Sequence, residues 1–187
     1  MFEEFRRGGG CWDARAKLIV YDTRTVMKVV EAKDVKKNDL VMTPSGFVKV
    51  ICVAKTFTVN GNIRMRQLPN GLLITPFHPV YIDGSYRFPM NVEGAIDTTV
   101  ICDFVLDLVL EREHSVFVNG IVCATLGHQK RGDVIEHDYW GNTVIHEMKA
   151  AQGWQVGLVT MNDLPGVQQR MQGAALQARI DDGVIVE

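Results

Sequence analysis

Three stretches of the sequence hold side chains able to do covalent chemistry. Cys11 follows Gly8, Gly9 and Gly10 and precedes an apolar run. A thiol with an ordinary pKa of about 8.5 is only a few per cent thiolate at neutral pH, so attack by Cys11 requires an activating neighbour. The glycines before it allow close backbone approach or strained torsions. In the second stretch, Leu72-Leu-Ile-Thr75-Pro76-Phe-His78-Pro79-Val80, an imidazole stands between two prolines. Proline fixes φ and holds the preceding residue extended, so the backbone around His78 is stiff, and Thr75 is close enough to share a site with it. The third stretch runs from Asp107 through His114 and Asn119-Gly120 to His128. Asp107 interrupts an apolar strand, where a buried carboxyl must be paired or cost several kcal/mol. Each feature has a plainer reading: a flexible leader for Cys11, a turn histidine for His78, a sheet edge for Asp107. Cys52, Cys102 and Cys123 lie in apolar surroundings and read as core.

The elements that would position these residues are short. Lys17–Tyr21, Val26–Val30, Leu40–Met42, Phe47–Val53, Leu72–Ile74, Phe104–Leu110, Val116–Val118 and Ile121–Cys123 are rich in β-branched residues and partly alternating. Asn60-Gly61, Asn70-Gly71, Asp83-Gly84 and Asn119-Gly120 punctuate them with tight-hairpin chemistry. About a dozen such strands imply an all-β sandwich or closed sheet. After Gly127 the pattern changes. Asp133-Val-Ile135 reads as a strand and Thr143–Gln152 as a short helix. A second helix is expected near Asn162 or Asp163 as N-cap, with Pro165 in its first turn and Leu164, Val167, Met171, Ala174 and Ala178 on one face.

Composition narrows the function classes. The 187 residues carry 20 basic and 22 acidic side chains, a net charge of −2, with 47% hydrophobic residues. This balance suits a folded domain and gives no electrostatic footprint for nucleic acid or an anionic membrane. No uncharged apolar run reaches the roughly 20 residues of a membrane span, and the amino terminus lacks a secretory apolar core; a cytoplasmic location is expected. No C-x-x-C or H-E-x-x-H spacing occurs among the cysteines and the five histidines, so neither metal nor other cofactor is expected.

Taken in order, these motifs resemble the Hint (hedgehog/intein) superfamily of self-processing domains. Cys11 with the Lys36-Lys37-Asn38-Asp39-Leu40-Val41 turn resembles its opening block, Asn38 standing where a glycine is usual. Thr75-Pro76-Phe77-His78 resembles its T-x-x-H motif, and Asp107 through Asn119-Gly120 its block with a catalytic aspartate. Ile74–Pro79, Tyr86–Pro89, Thr125-Leu-Gly-His128 and Asp138-Tyr-Trp-Gly141 are most similar to the Vint group, found beside von Willebrand factor A modules. The resemblance implies an all-β Hint fold over residues 11–129, an upstream flanking segment at 1–10, and a mostly helical extension at 130–187 packed on the domain. Such domains sit inside larger proteins, so neighbouring domains are expected partners and the chain reads as an excised segment.

The resemblance also implies a single-turnover chemistry whose substrate is the chain's own upstream polypeptide. Cys11 attacks the Gly10 carbonyl, His78 protonates the Cys11 nitrogen, and Thr75 orients the imidazole. Asp107 activates the thiol or a second nucleophile, and His128 is similar to the family's penultimate histidine. Water or another nucleophile then resolves the thioester. Splicing needs a cyclising amide and a hydroxyl or thiol acceptor; here Gln129 and Lys130 follow His128, so cleavage at Gly10-Cys11 without splicing is expected. The alternative is a non-cleaving interaction or structural module with the same fold.

Overall fold

The computed structural model describes residues 10–21 and 26–172, which form fourteen strands and little helix. In chain order the strands are β1 (Trp12–Asp13), β2 (Lys17–Tyr21), β3 (Met27–Glu31), β4 (Leu40–Thr43), β5 (Gly46–Phe57), β6 (Asn62–Gln67) and β7 (Leu73–Ile74). They continue as β8 (Val80–Ile82), β9 (Ser85–Arg87), β10 (Ile96–Ile101), β11 (Phe104–Leu110), β12 (Ser115–Val118), β13 (Ile121–Ala124) and β14 (Leu158–Thr160). The apolar alternation does what a half-buried strand requires: in β2, Leu18 and Val20 are buried while Lys17 is exposed. Asn60-Gly61, Asp83-Gly84 and Asn119-Gly120 all take positive φ at both residues, as type I′ hairpin turns demand.

One large sheet has the order β10-β6-β7-β1-β11-β5-β4-β2-β3, and a four-stranded sheet has the order β12-β13-β8-β9. The fold is therefore all-β with strongly curled sheets. The long strand β5 carries much of the curl. Its first residues pair with β4, Val50 to Phe57 pair with β11, and Val53 to Lys55 also receive β14 in parallel. A bulge between Val109 and Leu110 bends β11.

The apolar side chains form a main core around Trp12, Leu18, Val41, Leu72, Ile74 and Leu108. A second core is filled from beyond residue 130. Tyr139, Trp140, Val144, Met148, Met161, Leu164 and Val167 cover Cys52, Ala54, Val109 and Leu126 on β5 and β11 and their surroundings. Burying one such side chain as fully as Met148 contributes about 1.5–3 kcal/mol.

Two local expectations fail in this region. Asp133–Ile135 is a turn, not a strand; only Ile135 of the three is buried, so two-sided strand pairing has nothing to pack. Helix α1 (Val144–Ala150) follows a wide π-helical turn at Tyr139–Thr143. The next helix occupies 165–172 of the described residues, with Leu164 as N-cap, its carbonyl accepting from Gln168 N at 2.9 Å. Asn162 does not cap it, because its amide is committed to both backbone polar atoms of Phe57, at 2.7 and 3.0 Å. Ala174 and Ala178 lie outside the described residues. Among the described residues no helix is long and apolar enough to cross a membrane.

Candidate active site

The sheet register brings distant parts of the sequence to Cys11. In β1, Trp12 pairs with Leu106 of β11 on one side and with Ile74 of β7 on the other. Both ladders are antiparallel, so stepping back one residue sets Cys11 opposite Asp107 and opposite Thr75. The contacts agree. Thr75 Oγ1 accepts from Cys11 N at 3.0 Å and donates to Cys11 O at 3.2 Å, while Thr75 N donates to the same carbonyl at 2.9 Å. Thr75 thus clamps the backbone of the cysteine. It does not orient the His78 ring through its hydroxyl, as the sequence suggested; His78 is tied to it through His78 N donating to Thr75 O at 3.2 Å.

His78 reaches the site from the other side. After the proline-bounded turn, Ala124 N donates to Pro79 O, and His78 Nε2 donates to Ala124 O at 2.7 Å. A carbonyl partner fixes the proton on Nε2 in the neutral ring, leaving Nδ1 with a lone pair. Nδ1 is buried with no hydrogen-bond partner and faces Gly10. A Cβ on Gly10 would lie 2.5 Å from Nδ1 and 3.0 Å from His78 Cα, so this approach requires glycine. The ring also packs on Trp12, with centroids 5.1 Å apart. Burial pushes the His78 pKa down to about 4, and the Ala124 and Gly10 backbones oppose the shift without cancelling it. The neutral ring presents the Nδ1 lone pair toward Gly10 and can act as an acid only after taking up a proton.

Burial and, secondarily, the nearby Asp107 push the Cys11 thiol up, and a contact of 3.9 Å between its Sγ and Thr56 Oγ1 opposes this. Burial likewise raises Asp107 well above the usual carboxylate range, although its Oδ1 accepts from Leu108 N at 2.6 Å. A charged Asp107 would disfavour the Cys11 thiolate, so a protonated Asp107 can donate a proton near Cys11 but cannot activate the thiol electrostatically. His128 is buried and pushed down to about 4 by burial, with His114, Lys130 and His137 adding to the shift.

Two cavities meet at Gly10 and Asp107. One of about 270 Å³ is mostly apolar and includes Cys11, Thr56, Thr75, Val105 and Met161 in its walls. The other, of about 20 Å³, is walled by His78, Thr125, His128 and Trp140 among others. All five residues singled out in the sequence therefore border one or other cavity. Thr56 was missed, since an isolated threonine in an apolar strand carries no motif, and Thr125 entered only within the Thr125-Leu-Gly-His128 resemblance with no role of its own; the signal for Thr56 is its cross-strand pairing with Val105, next to the β1 ladder. No group of three or more side chains suited to a metal ion occurs among the described residues.

The family model of the Vint Hint-domain matches residues 10–174. Among solved structures, the chain is similar to the gp41-1 intein at 16% identity and a TM-score of 0.45, covering 63% of this chain and 100% of that one. It is similar to the Ssp DnaB mini-intein variant M86 at 14% identity and a TM-score of 0.46, covering 66% and 99%. A DnaB intein from Synechocystis sp. PCC 6803 matches at 16% identity and a TM-score of 0.44, covering 63% and 99%. No curated protein matches the chain.

Proposed function

The chain belongs to the Vint Hint-domain family, and from that premise we propose that it is an autoprocessing domain that cleaves its own backbone at Gly10-Cys11 without splicing. In the first step the Cys11 Sγ attacks the Gly10 carbonyl carbon, and the thiol proton passes to His78 Nδ1. The C–N bond then breaks as the imidazolium returns that proton to the departing Cys11 nitrogen, leaving a thioester and a free amine. Such proton transfers typically contribute 10²–10⁴-fold in rate. The observation that carries the reading is the placement of Gly10 between the clamped Cys11 and the unpartnered Nδ1 of His78.

The test is intact mass of the full chain after incubation with dithiothreitol. Release of residues 1–10, abolished by Cys11→Ala, is expected; absence of any Cys11-dependent release refutes the reading. One observation favours a second reading, a non-cleaving module: the Cys11 thiol is 5% exposed and held protonated by its surroundings. The same incubation separates the two.

A further inference from the structure

The smaller cavity has a polar wall that protein atoms do not complete. Thr125 Oγ1, His128 Nδ1 and His78 Nδ1 are each buried without a hydrogen-bond partner, and the three residues are 2%, 6% and 1% exposed. All three line the same cavity beside Gly10 and Asp107. A buried hydroxyl or imidazole nitrogen without a partner costs about 1–3 kcal/mol, so three around one space point to a common ligand. The volume of about 20 Å³ admits one water and excludes an organic molecule. His78 Nδ1 lies against the Gly10 backbone, which leaves Thr125 and His128 to hold the water.

We infer that this cavity binds a single water between Thr125 Oγ1 and His128 Nδ1, and that this water hydrolyses the thioester. The inference rests on the cleavage reading above and names its second reactant. The water oxygen attacks the Gly10 carbonyl carbon while one of its protons passes to His128 Nδ1. The C–Sγ bond breaks, and the leaving sulfur takes the carboxyl proton of Asp107, which lines both cavities. His128 then returns its proton to the Asp107 carboxylate through solvent. The products are a Gly10 carboxylic acid, which ionises, and a free Cys11 thiol. Burial keeps Asp107 protonated and His128 neutral, the states this step requires.

The experiment follows the full chain by mass in H₂¹⁸O, with and without dithiothreitol, for wild type, Thr125→Val, Thr125→Ser and His128→Gln. The expected results are one ¹⁸O in the released 1–10 peptide and spontaneous hydrolysis slowed at least about tenfold in Thr125→Val and His128→Gln. Thr125→Ser should recover hydrolysis. Unchanged hydrolysis in Thr125→Val and His128→Gln, or a released peptide bearing an organic acceptor admitted by the apolar cavity, overturns the water site and leaves the cleavage reading standing. No thiol-dependent release from wild type overturns both. If the variants fail to fold, a high-resolution crystal structure of Cys11→Ala decides: one ordered water on Thr125 and His128 supports the site, and its absence overturns it.

Discussion

On the Cys11 side of Gly10 the backbone is fixed at both polar atoms of the cysteine, by Thr75 through three hydrogen bonds. On the His78 side three buried polar atoms lack partners. On the cleavage reading, one side is structure and the other keeps unpaired groups for a state in which the peptide changes. Unpaired groups are tolerated where they gain partners during the reaction, because stabilisation realised only in the transition state lowers the barrier. Variants on the two sides should therefore fail differently.

The largest effect is expected at His78. His78→Ala should slow dithiothreitol-induced release about 10²–10⁴-fold. It should also cost about 1–3 kcal/mol of stability, since the Ala124 carbonyl loses its donor. Parallel cleavage rates and urea titrations check this; a variant that cleaves at the wild-type rate makes His78 structural. Next comes Gly10→Ala. The added methyl would sit 2.5 Å from His78 Nδ1 and 3.0 Å from its Cα, so the scissile peptide must shift. A displacement near 1 Å costs about 10²-fold in rate. Because Gly10 precedes β1, little change in melting temperature should accompany it, and a large loss of stability with intact rate would reverse the contrast between the two sides.

A smaller effect concerns pH. The His78 pKa falls from 6.5 to about 4 on folding, so the unfolded chain binds the extra proton between these values. Stability from this group is complete above pH 6.5 and is lost as the pH falls toward 4, by about 2 kcal/mol at pH 5. Asp107 shifts in the opposite sense, its raised pKa favouring the folded state at lower pH. Urea unfolding of wild type and His78→Gln at pH 7.5 and 5 isolates the histidine. The variant should lose about 2 kcal/mol less over that interval; equal losses would mean that the imidazole is not held neutral.

The residues that announce themselves by type and neighbours were legible in the sequence. The Asn-Gly and Asp-Gly turns encode their own positive φ, and β2, β11 and β13 follow from apolar runs. The polar pair β6 and β10 was not legible. Arg64, Arg66 and Asp97 face one another across it in ion pairs at 2.8 and 3.2 Å, and such cross-strand charge leaves no apolar period to read. The meeting of Cys11, Thr75 and Asp107 depends on β1, only two residues long, and no local propensity specifies which strands receive it. Their order along the chain resembles a family's blocks, and that order alone groups them without any ladder. Thr125 and the tautomer of His78 needed the ladder itself, because they are defined by what they lack or face.

The smallest expected effect is none at all: flanking segments should never be joined. The downstream boundary is tied to the segment that follows it. Gln129, the side chain that would cyclise, donates its amide to Asn142 at 3.0 Å, and Gly127 N is held by Trp140 O at 3.0 Å. Lys130 offers an amine where an acyl acceptor would need a hydroxyl or thiol. Release after Gln129 would also detach Tyr139, Trp140, Val144 and Met148, which fill the second core over β5 and β11. With distinct reporter proteins fused to both ends, mass analysis over time should show a single upstream release that disappears in Cys11→Ala. Lys130→Ser should still give no ligated product, because the buried downstream segment, and not the missing acceptor by itself, holds the chain together. A joined upstream–downstream product from Lys130→Ser would show that the acceptor residue was the sole barrier and that the second core yields more readily than its packing implies.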